Sequence, residues 1–238
     1  MKMAKMKFRA LRFGSAAAAL VCMTSLAQAQ QPSIPERVAA LKTTLAGSKA
    51  ALKNYEWIET TVITLKGEEK VRKQQKCYYG ADGGIQKLDV SAQPEPEQKR
   101  GVRGRIVARK TEEMTDYMKN AVNLVKTYVP PDPAKIQSAK DAGKVTLEIL
   151  EPGKRVRLNF ADYHKPGDRL GVEVDLMTNR LLEVTVSSFL DDPTDAVKLQ
   201  ARMGQLSDGT AYTSSIALDA VAKNLGVTVE NSGYKKVN

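Results

Sequence analysis

Few residues in this chain are of kinds that do chemistry, and their spacing limits what they can do. His164 is the only histidine, and it stands beside Lys165-Pro166-Gly167 in a segment built to turn. A single imidazole can act as a general base, but no serine or cysteine nucleophile motif accompanies it, so it reads as a solvated turn residue. Cys77 precedes Tyr78 and Tyr79 in a segment of strand composition, where a thiol is a buried, inert group rather than a nucleophile. His164 and Cys77 lie too far apart to suggest a transition-metal site, which recruits such ligands together. Asp191, Asp192 and Asp195 offer oxygens to a hard cation, yet Pro193 breaks the alternating ligand spacing of a calcium loop. Gly80-Ala81-Asp82-Gly83-Gly84 lacks the spacing and following helix of a phosphate cradle and reads as a hairpin turn. The expectation is a protein without enzymatic activity, metal or cofactor.

Charge supplies the remaining candidate. Lys99, Arg100, Arg103 and Arg105, followed by Arg109 and Lys110, are interleaved with Gly101 and Gly104 and preceded by Pro94 and Pro96. Residues 91–105 read as an exposed, mobile loop whose cations can meet phosphate headgroups, as in peripheral membrane contact, or an acidic envelope partner. No aromatic residues interleave the arginines, so nucleic acid is not an expected partner.

The elements that position these groups begin after a targeting segment. Lys2, Lys5, Lys7, Arg9 and Arg12 precede an apolar run from Phe13 to Leu26, and Ala27-Gln28-Ala29 provides a small-x-small cleavage site. This is the pattern of a secretory signal peptide over residues 1–29, cleaved after Ala29, and it predicts a periplasmic product over 30–238. Cys22 follows Leu20 and Val21, a poor match to a lipid-attachment site, so a soluble product is expected. The signal takes five of the 37 basic residues and none of the 27 acidic ones, so the remainder carries a net +5. Cys77 alone then remains, which excludes an internal disulfide.

Ser33, Pro35 and Glu36 mark a helix start, and Val38, Leu41, Leu45 and Leu52 give that helix one apolar face to about residue 54. Residues 55–65, 69–79 and 85–90 have strand composition and tight turns between them, an antiparallel meander in which Val71, Cys77 and Tyr79 share a face. Thr111 with Glu112 and Glu113 reads as a helix cap. A helical insertion is therefore predicted near 106–142, broken at Pro130-Pro131 and restarted at Asp132-Pro133. From Lys144 the period is two. Val145, Leu147 and Ile149, then Val156, Leu158 and Phe160, then Leu170, Val172, Val174 and Leu176 alternate with polar residues. Residues 181–190 and 197–203 continue the series. The tail reads as a helix-like piece at 218–225 and a last strand at 227–230. The sum is a single α+β domain with a curved antiparallel sheet and helices on one face.

This order resembles the LolA-like superfamily of periplasmic lipoprotein and lipid carriers and related sensor domains. The resemblance lies in a helix running into a Trp-bearing strand, Tyr55-Glu56-Trp57, and in the late strands of 170–190 and 197–212 with Asp208-Gly209-Thr210. It implies a strongly curved half-barrel with helices covering its concave face, and a cavity there for acyl chains. Trp57, Tyr79, Val156, Leu158, Phe160, Val172, Val174 and Leu176 are the candidate lining, and for any one of them packed core is the favoured reading. The function implied is binding and carriage of a lipid or lipoprotein. The other reading is a cell-envelope interaction or sensor module with a filled core.

Overall fold

Alternation of apolar and polar side chains governs most of the chain. The structure, a computed structural model, describes residues 34–90 and 102–237, all within one compact unit, Ser33–Asn238. Helix α1 (Ile34–Ala51) runs through a 3-10 turn at Leu52–Asn54 into β1 (Tyr55–Leu65), β2 (Glu68–Tyr79) and β3 (Ile85–Asp89). Helices α2 (Val102–Lys126) and α3 (Pro133–Asp141) follow. The strands β4 (Val145–Glu151), β5 (Arg155–Ala161), β6 (Arg169–Asp175), β7 (Arg180–Phe189), β8 (Ala196–Gln205), β9 (Ala211–Ala220) and β10 (Leu225–Lys236) complete the fold.

These strands form one antiparallel sheet in the order β3-β2-β1-β10-β9-β8-β7-β6-β5-β4. β10 joins the two meanders, pairing with β1 on one side and β9 on the other. The sheet stays open, with β3 and β4 as its edges. The first hairpin is as tight as its sequence predicts. Lys66 and Gly67, at φ 54° and 80°, form a two-residue turn in the left-handed region, which matches the twist of paired strands.

Register divides the side chains between two faces. Phe160, Leu170, Val172, Val184, Val186, Val197, Leu199 and Leu218 pack with Ala121 and Val125 of α2, Tyr128 just beyond it, and Ala139 of α3. Asp132 caps α3 by accepting from the Ala134 N–H at 2.8 Å, with Pro133 in the first turn where its missing donor costs nothing. The opposite face is polar. There Glu173, only 6% exposed, sits directly across from Glu183. Two carboxylates in that register repel unless bridged. Arg157 lies 3.0 Å from Glu173 and 3.7 Å from Glu183, Arg155 adds a 3.2 Å contact to Glu173, and Arg202 lies 3.3 Å from Glu183.

Three expectations are corrected. Helix α2 begins at Val102, so Arg103 and Arg105 stand in its first turns rather than in a loop; Lys99 and Arg100 fall outside the described residues. Strong helix formers over 105–113 carry the helix back past Thr111, whose carbonyl accepts from the Thr115 hydroxyl at 2.8 Å inside the helix. The tail is strand rather than helix at 218–220 and again from Leu225. Leu218 and Ala220 are buried on either side of exposed Asp219, a period of two, and only Val221–Lys223 form a 3-10 turn before Asn224 reverses the chain at φ 49°. β10 then runs well beyond residue 230, because a register shift near Gly233 (φ 64°) lets it follow β1 to its start. Finally, Leu147 and Ile149 are 59% and 63% exposed on the edge strand β4, of which only Val145 packs against the core cluster.

Candidate functional site

The helix-side face of the sheet is where the sequence placed its candidate ligand lining, and the structure divides those residues into three groups. Val156, Phe160 and Val172 are buried, with Leu158 and Val174 half-buried on the same face. All but Val156 belong to the cluster packed with α2 and α3. Leu176 lies past the end of β6, half-buried in the turn to β7. Trp57 and Tyr79 sit on β1 and β2, five and six strand steps from β6, or roughly 24 and 29 Å along the sheet.

Trp57 and Tyr79 belong to an aromatic cluster that the sequence reading did not assemble. The Trp57 indole donates to the Asn231 side-chain oxygen at 3.0 Å and stacks on Tyr234 at 5.5 Å with 13° between planes. Tyr79 lies 5.8 Å from Trp57, and Tyr212 packs 4.5 Å from Tyr234. Tyr234 is the hub, and its place became visible only once β10 reached residue 236. Burial raises its hydroxyl pKa above the usual phenol range, with smaller contributions from Tyr212 and Tyr79.

Nearby, the Tyr55 hydroxyl donates to Asp208 in the β8–β9 turn at 2.6 Å, and the Thr210 N–H donates to the same carboxylate at 3.0 Å. These bonds, the tyrosine first, hold the Asp208 carboxyl well below its ordinary value of 3.8. The sign follows from linkage. A depressed native pKa stabilises the fold above the unfolded value and is lost only as the pH falls through the native one. The turn should therefore stay tied to Tyr55 at pH 3, where free aspartate is largely protonated. Amide exchange of Thr210 checks this, and protection lost already near pH 4 would contradict it.

Cys77 is fully buried beside these rings, and burial, reinforced by the Glu59 carboxylate, raises its thiol pKa. It should resist iodoacetamide in the native protein and react on unfolding, followed by mass spectrometry of its own peptide. Rapid native labelling would show that this end of the sheet opens.

The helical cover is fastened by a buried polar knot. Tyr128 donates its hydroxyl to Asp168 at 2.6 Å and lies 2.8 Å from the Ser188 hydroxyl. A phenol has one proton, so Ser188 must donate to Tyr128. Asp168, 3% exposed, also accepts from the backbone N–H groups of His164 and Lys165, at 3.1 and 2.8 Å. Burial, with the bond to Asp168 second, pushes the Tyr128 pKa up. His164 thus contributes its backbone to the knot, while its ring Nδ1 lies 2.6 Å from the Lys135 ammonium. An ammonium can only donate, so Nδ1 is the acceptor. Asp195 accepts from the Tyr117 hydroxyl, and Asp192 accepts from the Thr194 N–H and hydroxyl. Asp192 thus closes its own turn, while Asp195 ties that turn to α2. Among the described residues no group of three or more His, Cys, Asp or Glu side chains is placed to hold a metal ion, and no helix is long and apolar enough to cross a membrane.

Beyond the packed cluster, the same apolar face continues over β10, β1 and β2. Ile63 pairs with Val227 on one side and Val71 on the other. Ile63, Leu65 and Val229 are half-buried outside the cluster, Val227 is half-buried and packed against it, and Val71 is exposed. This strip continues the face without the fully buried packing seen under α2 and α3.

No protein-family profile matches the sequence, and no curated protein matches it significantly. Among solved structures the chain is similar to a LolA superfamily protein from Nitrosomonas europaea, at 8% identity over 83% of this chain and 94% of that one, with a TM-score of 0.36. It is also similar to a DUF1329 family protein from Desulfovibrio piger, at 9% identity over 84% and 93% of the two chains, with a TM-score of 0.38. MucB in complex with MucA(peri) shows a looser likeness, at 9% identity over 84% and 99%, with a TM-score of 0.20. The likeness is one of architecture.

Proposed function

We propose that the chain is an exported, non-enzymatic carrier of a lipid or lipoprotein. In this reading the sheet is a half-barrel, α2 and α3 cover its concave side, and acyl chains lie on that face. The observation that carries the reading is the half-buried strip of Ile63, Leu65 and Val229, with exposed Val71 beside it, which leaves apolar area next to the packed core. Contiguous exposed apolar surface is uncommon on a monomer and marks a binding surface. An acyl chain laid there gains about 0.8 kcal/mol for each CH₂ it buries. Trp57 and Tyr79 would border the bound chain, while Leu158, Phe160, Val172 and Val174 would meet it only if α2 and α3 shifted; Val156 lies outside that cluster. The cations at the start of α2, Arg103 and Arg105, with Lys99 and Arg100 before them, would meet phosphate headgroups or a membrane partner. Residues 1–29 would direct export and be removed.

The test is mass spectrometry of organic extracts from the protein purified out of a native periplasm. A stoichiometric acyl species, absent from a control periplasmic protein, is the expected result. A stable protein that is empty would overturn the carrier reading. It would favour the second one, an envelope interaction module, for which exposed Leu147 and Ile149 on the open edge strand β4 offer a surface for strand pairing.

A further inference from the structure

The polar face of the sheet, opposite the helices, holds a groove of about 320 Å³ lined by Arg169, Thr185, Ser187, Lys198, Gln200 and Asp219. Its charges are arranged in a row. Arg169 pairs with Ser187 across β6 and β7, Ser187 with Lys198 across β7 and β8, and Lys198 with Asp219 across β8 and β9. The next row but one is the Arg157, Glu173, Glu183 and Arg202 ladder, in which every charge is matched. The groove row differs. Among the described residues, Arg169, Lys198 and Asp219 make no ion pair or side-chain hydrogen bond, and the hydroxyls of Thr185 and Ser187 make no hydrogen bond. Gln200, which lines the groove, gives its amide N–H to Glu183 at 2.8 Å, and its oxygen has no hydrogen-bond partner among the described residues. A sheet that neutralises its charges so fully two rows away leaves two cations, two hydroxyls, an amide oxygen and a carboxylate unmatched around one depression.

The chemistry of that set narrows the ligand. Arg169 and Lys198 stand two strands apart, about 10 Å between backbones, so both long side chains can close on one oxyanion above Ser187. Asp219 repels a bare anion but accepts from a hydroxyl, as does the Gln200 oxygen. Among the described residues no aromatic ring lines the groove to stack a nucleobase. The volume is at the small end for a ligand site, the size of a monosaccharide rather than a chain. We propose that this face binds a sugar bearing an oxyanion, phosphate or carboxylate. The oxyanion lies between Arg169 and Lys198, and the ring hydroxyls lie against Thr185, Gln200 and Asp219.

Calorimetric titration of the full chain at low salt, with glucose 6-phosphate, glucuronate, glucose and inorganic phosphate, tests this. At least one charged sugar should bind about tenfold more tightly than both glucose and inorganic phosphate; which one it is tells phosphate from carboxylate. Arg169→Gln and Lys198→Gln should each weaken it about tenfold. Asp219→Asn should weaken the charged sugar while leaving inorganic phosphate unchanged or tighter. All three positions are exposed, so these variants should keep the wild-type melting temperature, which thermal unfolding verifies. Absence of binding by both charged sugars, binding indifferent to the Arg169→Gln, Lys198→Gln double variant, or inorganic phosphate binding as tightly as the sugar would each overturn the proposal.

Discussion

Replacing Asp168 with alanine should destabilise the protein by roughly 3 kcal/mol, the largest expected loss for a single polar side chain here. The carboxylate is buried and is satisfied by the Tyr128 hydroxyl and the N–H groups of His164 and Lys165. Removing it strands all three donors, and a buried donor without a partner costs about 1–3 kcal/mol. Tyr128→Phe should cost less, about 2 kcal/mol, because it removes one of the donors to Asp168 and leaves only Ser188 without its acceptor. The two changes share a hydrogen bond, so together they should cost less than their sum. Urea denaturation of the single and double variants measures this. A loss below about 1 kcal/mol for Asp168→Ala would mean that water replaces the carboxylate without penalty.

The knot has a mechanical consequence. Tyr128 follows the end of α2, Asp168 and Ser188 come from the β5–β6 turn and from β7, and Asp132 at the start of α3 donates its N–H to the Tyr163 hydroxyl at 2.6 Å. The connection between the two helices is thus fixed to the sheet at two neighbouring points. Toward its N-terminus α2 is held by Tyr117 on Asp195, and its residues before Met114 whose side chains are described are exposed. If α2 moves to admit a ligand, the hinge belongs at its C-terminal end, next to Tyr128.

Strands whose two faces differ in polarity were legible in the sequence. The alternation of Val156, Leu158 and Phe160 with Arg155, Arg157 and Asn159 identified β5 because one face meets the core and the other meets the Glu173–Glu183 ladder. The meander of β1 to β3 was equally plain, since Lys66-Gly67 and the Gly80 to Gly84 segment can do little but turn. The start of α2 was hidden because glycines and arginines at 100–105 have the composition of a loop, and a cap-like Thr111 competed as a start. The length of β10 was hidden because it depends on pairing with β1, some 170 residues away in sequence.

Site residues were less accessible than elements, for a physical reason. Period-two alternation reports that a side chain leaves water, and it is silent on whether a helix or a ligand replaces the water. Phe160 and Ile63 both lie in segments read as strands, yet one is packed with Tyr163 and α3 while the other lies in the half-buried strip. The Tyr128, Asp168 and Ser188 knot gives no local signal at all. Each is a common polar residue, and only the register of β6 and β7 and the end of α2 bring them within bonding distance.

That distinction between core and strip leads to the prediction with the largest functional effect. Ile63→Lys and Val229→Lys should each reduce the co-purifying acyl species at least tenfold while the protein stays folded. Both side chains are half-buried, so a lysine can extend its stem along the strip and keep its ammonium in water, at a stability cost of about 1 kcal/mol. The charge would then stand where an acyl chain must lie, and an apolar chain cannot solvate it. Val172→Lys is the contrasting change. Its side chain is buried between Leu158 and Val184, so the ammonium has no route to water and the fold should fail, by about 4 kcal/mol or more. Thermal melts and quantitative lipid mass spectrometry on the same preparations separate loading from stability. Undiminished loading in folded Ile63→Lys and Val229→Lys would remove the strip as the acyl surface. The place of binding would then move beneath α2 and α3, where opening the Tyr128 knot would be the step that admits the ligand.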